Sequence, residues 1–178
     1  MLLLGHHIEN KKSFIRGAII PYTKKQDEIY VLMAIDRKTR ELSDFGGGIK
    51  KNESVFDGTL RELKEESCNI LNNSISKEHL RHSYVITNNM YTQCIFFVEI
   101  DPTWLYFISS LFQTQLTKYT SKKYRENIGV SWLHINIFNS YLKNDTYTKL
   151  WPKLRSFINK HGTESIIDVF TKNIHHVI

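Results

Sequence analysis

The 178-residue sequence lacks the features that mark several specialised classes of chain. It has two cysteines, Cys68 and Cys94, and neither has zinc-type spacing with another. A disulfide framework and a cysteine-built metal site are therefore not expected, and both residues read as free thiols. No apolar run approaches the length of a bilayer span. The start, Met1-Leu2-Leu3-Leu4-Gly5, has no basic n-region and too short an apolar stretch for a signal peptide. The expectation is a cytoplasmic protein with no membrane partner. Internal repeats and low-complexity linkers are also missing. The histidine pairs His6-His7 and His175-His176 lie near the ends and read as polar termini, not as a metal site.

What is present is an ordinary globular balance, with 41% apolar and 24% charged residues, which excludes disordered and collagen-like chains. The length fits one domain over 1–178 with a core of its own. Lys and Arg number 24 against 18 acids, a formal charge of +6. That excess favours anionic partners such as phosphorylated metabolites, nucleotides or RNA, or else describes a merely soluble basic surface.

Residues 14–22 and 28–35 read as strands joined by a polar link at 23–27. Residues 36–44 read as a charged loop. Gly46-Gly47-Gly48 then breaks the pattern, as would a backbone that needs unusual torsions or lies close to a ligand. Val55, Phe56, Leu60 and Leu63 recur at helical spacing in 54–67, and Ser54 is placed to cap that helix. Gly58 inside it costs about 1 kcal/mol relative to alanine and suggests tight packing against a neighbour.

Residues 82–87 and 91–100 predict a hairpin across Asn88-Asn89, and Pro102 stops its second strand. A stripe of Trp104, Phe107, Ile108, Leu111, Phe112 and Leu116 predicts a helix at 103–119, followed by a basic, aromatic-flecked loop at 118–125. A strand at 127–135, a short helix at 136–142, a helix from Pro152 to before Gly162, and last helical turns at 166–174 complete the reading. The order predicts an α+β fold, a mixed sheet with helices packed around it.

One segment carries chemistry: Gly46-Gly47-Gly48-Ile49-Lys50-Lys51-Asn52-Glu53, then Arg61-Glu62-Leu63-Lys64-Glu65-Glu66. Glu62, Glu65 and Glu66 fall at i, i+3 and i+4 and share one helical face. Carboxylates so placed repel unless a cation compensates, and oxygen-rich clusters suit hard ions such as Mg²⁺ or Mn²⁺. The upstream glycines let a backbone carbonyl turn toward the same ions. Arg61 is placed to pair with Glu53 and pin the loop to the helix. A solvated Glu/Lys helix face is the competing reading for the helix taken alone.

The spacing resembles the Nudix box of the Nudix hydrolase superfamily. Gly47 is followed by five residues and Glu53, then by seven residues and Arg61-Glu62, Leu63, Lys64 and Glu65-Glu66. If each polar position matches at about one in fifteen, six together arise at about one in 10⁷ per start point. The match departs at its end, where Cys68 stands in the family's glycine position and Asn69 in its aliphatic one. Asn tolerates the left-handed conformation that normally ends this helix. Asn69 is thus expected to take the turn one residue late, with Ile70 as the aliphatic, extending the box over 47–70. The resemblance covers about 13–161.

It implies an α/β/α sandwich with a mixed sheet and a loop-helix-loop active site. It also implies hydrolysis of a diphosphate linked to another group, often a nucleoside diphosphate derivative, with Mg²⁺ or Mn²⁺ as cofactor. By carry-over, Glu62 and Glu66 are the main metal ligands, Glu65 binds another ion or orients the attacking water, and the carbonyl of Gly46 or Gly47 completes the shell. Glu53 and Arg61 form the structural pair. The general base varies across the superfamily. Glu126 is the first candidate outside the box and Glu99 the second, each with a plain surface carboxylate as the competing reading. Arg16, Arg37 and Lys50 are candidates to face phosphates, or else are solvated.

Partners are a phosphorylated small molecule or capped RNA. The helical insert at about 103–125 either stacks a base and holds phosphates or covers one face of the sheet, and its apolar stripe is a candidate homodimer face. The triple glycine also resembles the branch acting on diphosphoinositol polyphosphates. The order of box, Tyr-rich hairpin, Lys-Tyr-Arg-Glu-Asn loop and Trp strand resembles the Nudix domain of decapping enzymes from large DNA viruses, which would place the protein in a host cytoplasm. A catalytically silent Nudix binding module is the non-enzyme alternative.

Overall fold

The structure, a computed structural model, describes residues 1–144 and 149–162. The expected helical turns at 166–174 and the pair His175-His176 lie outside the described residues. One mixed sheet contains β1 (Leu2–Leu4), β2 (Arg16–Lys25), β3 (Glu28–Asp36), β4 (Leu42–Ser43), β5 (Phe45–Gly48), β6 (Tyr84–Thr87), β7 (Gln93–Glu99) and β8 (Asn127–His134). The helices are α1 (Val55–Glu66), α2 (Lys77–His82), α3 (Trp104–Leu116), α4 (Ile135–Lys143) and α5 (Pro152–His161).

The centre of the sheet is the parallel pair β2–β7, in register from Arg16↔Gln93 to Tyr22↔Glu99. The other edge of β2 is divided. Tyr22–Lys25 pairs with β3, whereas Arg16–Ile19 pairs with β5. Strand β3 in turn carries β4 at Ala34 and Ile35, and β8 along its far edge. Strands β2 and β3 therefore splay apart, and the 42–48 segment fills the gap. That splay sets the floor of the site described below.

Alternation along the strands sends side chains to two cores. Ile19, Leu32, Ala34, Phe45 and Phe96 pack on one face with Val55, Phe56 and Leu63 of α1 and with Ile108 and Phe112 of α3. Ala18, Ile20, Val31, Met33, Ile95 and Phe97 pack on the other with Phe138 and Leu142 of α4 and Leu154 and Ile158 of α5. Because both faces are covered, the central strands read as nearly unbroken apolar runs. The expected α+β sheet sandwiched by helices is what forms.

Several boundaries differ from the sequence reading. The expected link 23–27 is mostly strand, because Gln26 and Asp27 alone make the turn, both at positive φ (50° and 64°) as a two-residue hairpin of the primed type requires. The loop at 36–44 is ordered by Asp36, whose Oδ1 accepts from the backbone N–H groups of Lys38 (2.8 Å) and Thr39 (2.7 Å). Strand β1 and helix α2 are absent from the reading. Three consecutive leucines show no alternation, and α2 is a six-residue helix. Helix α3 covers β8, with Gln113 Nε2 donating to the Ile128 carbonyl at 2.8 Å. The insert thus takes the sheet-covering role, while Tyr106 and Phe107 on its outer side stay exposed.

Candidate active site

The glycine segment is not the backbone break that the sequence suggests. No glycine among the described residues has positive φ, and Phe45–Gly48 is a strand on β2. Closeness explains the residue type. A Cβ on Gly46 would sit 2.5 Å from Ala18 Cα and 2.6 Å from the Gly17 carbonyl, so glycine is needed there, whereas a Cβ on Gly47 would displace the Glu62 carboxyl, 2.6 Å away. The expected packing at Gly58 is also present: a Cβ there would lie 2.5 Å from Ile49 Cδ1 and 3.1 Å from Glu53 Oε2.

Helix α1 starts where Ser54 Oγ accepts from the Asp57 N–H at 3.1 Å, the expected cap. Arg61 ties the helix to the loop before it. Its Nε and Nη2 donate to Glu53 Oε1 and Oε2 at 2.7 and 2.9 Å. Its Nη2 also donates to the Gly48 carbonyl at 2.7 Å, and its Nη1 to Glu62 Oε1 at 2.6 Å. The Lys50 N–H adds a bond to Glu53 Oε2 at 3.0 Å. The Arg61 guanidinium holds the Glu53 carboxyl down at about 2, below its ordinary 4.5. Planar, two-pronged pairing of this kind is beyond a lysine.

The carboxylates gather at the C-terminal half of α1. Glu66 Oε2 accepts from the Gly46 N–H at 2.8 Å. Withdrawal from water and the neighbouring charge of Asp44 push the Glu66 carboxyl well above its ordinary range, against the pull of the Gly46 N–H. Glu65 Oε1 accepts from Lys123 Nζ at 3.2 Å, and Glu65 lies 3.8 Å from Arg61. Glu126, at the mouth of β8, is pushed up by partial desolvation and then by Glu62, Glu65 and Asp36. The structure therefore brings Gly46, Glu53, Arg61, Glu62, Glu65, Glu66 and Glu126 to one place.

It also adds Asp44, which sequence reasoning passed over as a loop acid. Asp44 is buried and accepts from Arg16 Nη2 at 2.6 Å and Nη1 at 3.2 Å. Burial opposes the charge on Arg16, but Asp44 outweighs it. Arg16 thus reaches the site already paired, with its guanidinium 5.6 Å from the Trp151 ring centroid. A small pocket of about 220 Å³ runs between Arg16, Asp44, Gly46, Glu66, Glu126 and Trp151. Only an acid two residues before the glycine run could have drawn attention to Asp44.

The remaining candidates separate. Arg37 lies beside Glu126 and donates from Nε to the Arg125 carbonyl at 2.6 Å. The Lys50 side chain is exposed on the loop. Glu99 is corrected as a base: it pairs with Tyr22 at the far end of β2, six residues from Arg16, or about 20 Å of strand. It is occupied there by the Tyr22 hydroxyl at 3.1 Å and Lys24 Nζ at 3.4 Å.

The helix ends one residue earlier than expected. Cys68 and Asn69 both adopt positive φ, 52° and 64°. The Cys68 N–H reaches the Glu65 carbonyl at 3.4 Å and the Asn69 N–H reaches that of Lys64 at 2.8 Å, a Schellman pattern. Cys68 holds the glycine-type position because its thiol is buried and lies 3.2 Å from the Tyr124 carbonyl. Ile70 packs on the core as expected. Asn127 Nδ2 donates to the Glu66 carbonyl at 3.2 Å, so β8 also anchors this end.

Among the described residues, no three His, Cys, Asp or Glu side chains converge closely enough to hold a metal ion as they stand. Arg61, Lys123 and the Gly46 N–H occupy the carboxylates instead. The donor set still fits a hard divalent cation, since Glu62, Glu65, Glu66 and Glu126 offer carboxylate oxygens and the Gly46 N–H holds Glu66 in place.

No protein-family model matches the sequence, and no curated protein matches it. Among solved structures, the chain is similar to an Ap4A hydrolase of C. elegans in a binary complex, with 13% identity, a TM-score of 0.47, and coverage of 89% of this chain and 97% of that one. It is similar to a mutT/nudix family protein of Listeria innocua at 14% identity and a TM-score of 0.47, covering 88% and 96%. A MutT/nudix family protein of Enterococcus faecalis gives 15% identity and a TM-score of 0.41, over 71% of this chain and 45% of that one.

Proposed function

We propose that the protein is a metal-dependent Nudix-type hydrolase that cleaves a diphosphate linkage in a nucleoside diphosphate derivative by water attack at phosphorus. The observation that carries the reading is the Arg61 clamp. One guanidinium joins Glu53, the Gly48 carbonyl and Glu62, and so fixes the glycine strand against the acidic face of α1. The sequence spacing of the box and this geometry support the same assignment. A solvated Glu/Lys helix would leave Arg61 free and Glu66 in water.

Glu62, Glu65 and Glu66, with the main-chain oxygen of Gly46 or Gly47, are the groups that would hold Mg²⁺ or Mn²⁺. Such an ion supplies neutralisation of the diphosphate and a lowered pKa of attacking water. Glu126, whose proton affinity partial desolvation and then its acidic neighbours raise, accepts the proton of that water. Glu65 is the second candidate for that role. Arg61 positions Glu62 and the loop without touching substrate. Arg37, which lines the cleft beside Glu126, is the candidate to meet phosphates, Lys50 stays a candidate from the sequence alone, and Arg16 acts through Asp44.

The test is turnover of a diphosphate panel: dinucleoside polyphosphates, nucleotide sugars, nucleoside triphosphates, diphosphoinositol polyphosphates and cap-labelled RNA, each with Mg²⁺ or Mn²⁺. Cleavage of one member is expected, abolished by chelation and restored by added ion. Glu65→Gln and Glu66→Gln are each expected to lower the rate about 100-fold or more. Silence across the panel would overturn the enzyme and favour a binding module.

A further inference from the structure

Beside the acidic site lies a larger cleft of about 610 Å³, lined by Asp36, Arg37, Lys38, Thr120, Lys122, Arg125 and Glu126. Asp36 and Glu126 also line the small pocket against Glu66 and Gly46, so the two spaces adjoin. The cleft contains four cations against two acids. Arg16, Lys24, Arg61, Lys77, Arg81 and Lys123 all have a carboxylate partner. Like most other lysines and arginines among the described residues, the four cleft cations have no ion pair; what sets them apart is that one cavity collects them. Arg37 donates from Nε to the Arg125 carbonyl at 2.6 Å and from its backbone N–H to the Glu126 carbonyl at 2.9 Å, so its guanidinium lies against this cleft without a carboxylate partner. Four cations against two acids leave the cavity with a net positive field even after Lys38 acts on Asp36 and Glu126, and an anion relieves it.

The geometry points to a second anion subsite here, for a phosphate-dense ligand. Resting on the hydrolase reading, it takes phosphate groups of the substrate beyond the linkage that is cleaved. Two observations favour phosphate over a nucleobase. No lining residue is aromatic. The nearby rings of Tyr119 and Tyr124 stack on each other at 4.3 Å, with Lys123 over Tyr124 at 4.9 Å, so their faces are already engaged.

The experiment is calorimetric titration of the full chain with inorganic tripolyphosphate in EDTA, at about 0.05 M salt where exposed charges are weakly screened. The Lys38→Glu/Lys122→Glu variant is compared with a charge-matched control, Lys143→Glu/Lys160→Glu, on the opposite face of the sheet. All four side chains are exposed, and thermal melting checks that both variants fold. The expected result is a Kd raised at least tenfold by the cleft variant and less than twofold by the control. Equal loss in both variants, no loss in either, or no binding by the unmodified chain would overturn the subsite. Tighter binding of a 20-nucleotide RNA without a terminal phosphate, unaffected by the cleft variant, would also overturn it. Because no divalent ion or turnover is involved, a failed diphosphate panel leaves this result interpretable, and a failed titration leaves the panel standing.

Discussion

Replacing Arg61 by lysine tests the clamp most directly, because charge is kept while the planar fork is lost. Lysine can meet one carboxylate but cannot serve both Glu53 oxygens, the Gly48 carbonyl and Glu62 together. The interval over which the clamp holds Glu53 down, from 4.5 to about 2, corresponds to about 3.5 kcal/mol at roughly 1.4 kcal/mol per pH unit. The pair sits at the rim, with about a fifth of each side chain exposed, so solvent screening reduces the contribution to about 1–2 kcal/mol.

The folded-state pKa of Glu53 is depressed, so its contribution is fully present above the unfolded value near 4.5 and is lost as pH falls toward 2. Denaturant unfolding at pH 7 should therefore show Arg61→Lys less stable by about 1–2 kcal/mol, and the gap between variant and parent should narrow as pH falls from 5 to 3. Hydrolysis should fall by more than tenfold at pH 7, since the loop and Glu62 lose a common anchor. A stability gap that stays constant from pH 7 to pH 3, or a variant as active as its parent, would refute the reasoning.

Three further outcomes follow from the same geometry. Glu66→Gln, measured in EDTA, should be as stable as the parent or more so above pH 5. The raised folded-state pKa of Glu66 means that its ionisation costs stability as pH rises past the ordinary value, while glutamine keeps an oxygen for the Gly46 N–H; a large destabilisation in thermal melts would contradict this. Gly58→Ala should destabilise by about 1–3 kcal/mol despite a helix-propensity gain near 1 kcal/mol, because the new Cβ meets Ile49 at 2.5 Å. A rise in melting temperature would show that Ile49 yields freely. Cys68 should resist thiol reagents in the folded protein, since burial pushes its pKa up to about 11; rapid labelling under native conditions would count against its packing under Tyr124.

The periodic segments were legible in the sequence because they rest on local physics. The α1 cap at Ser54, the α5 bounds set by Pro152 and Gly162, and the strands of the core follow from capping chemistry and apolar patterning. The box was legible because helical spacing alone puts Glu62, Glu65 and Glu66 on one face, and the Arg61–Glu53 pair followed from the same spacing. Strand β5 was not legible, since glycines have little strand propensity and signal a break. It forms because β2 and β3 splay and leave an edge for it, and because Gly46, with no Cβ, can lie against the Ala18 and Gly17 backbone of β2. Strand β1 and helix α2 were too short to show a period.

Sequence by itself determined the carboxylate face, its guanidinium partner and the layering of helices on a mixed sheet. Only the tertiary structure decided which distant acids share that place. It brought Asp44 and Glu126 to the box and left Glu99 at the other end of β2. Spacing along one helix fixes neighbours within about two turns, whereas the meeting of residues 60 apart depends on strand order and register, which no local pattern encodes.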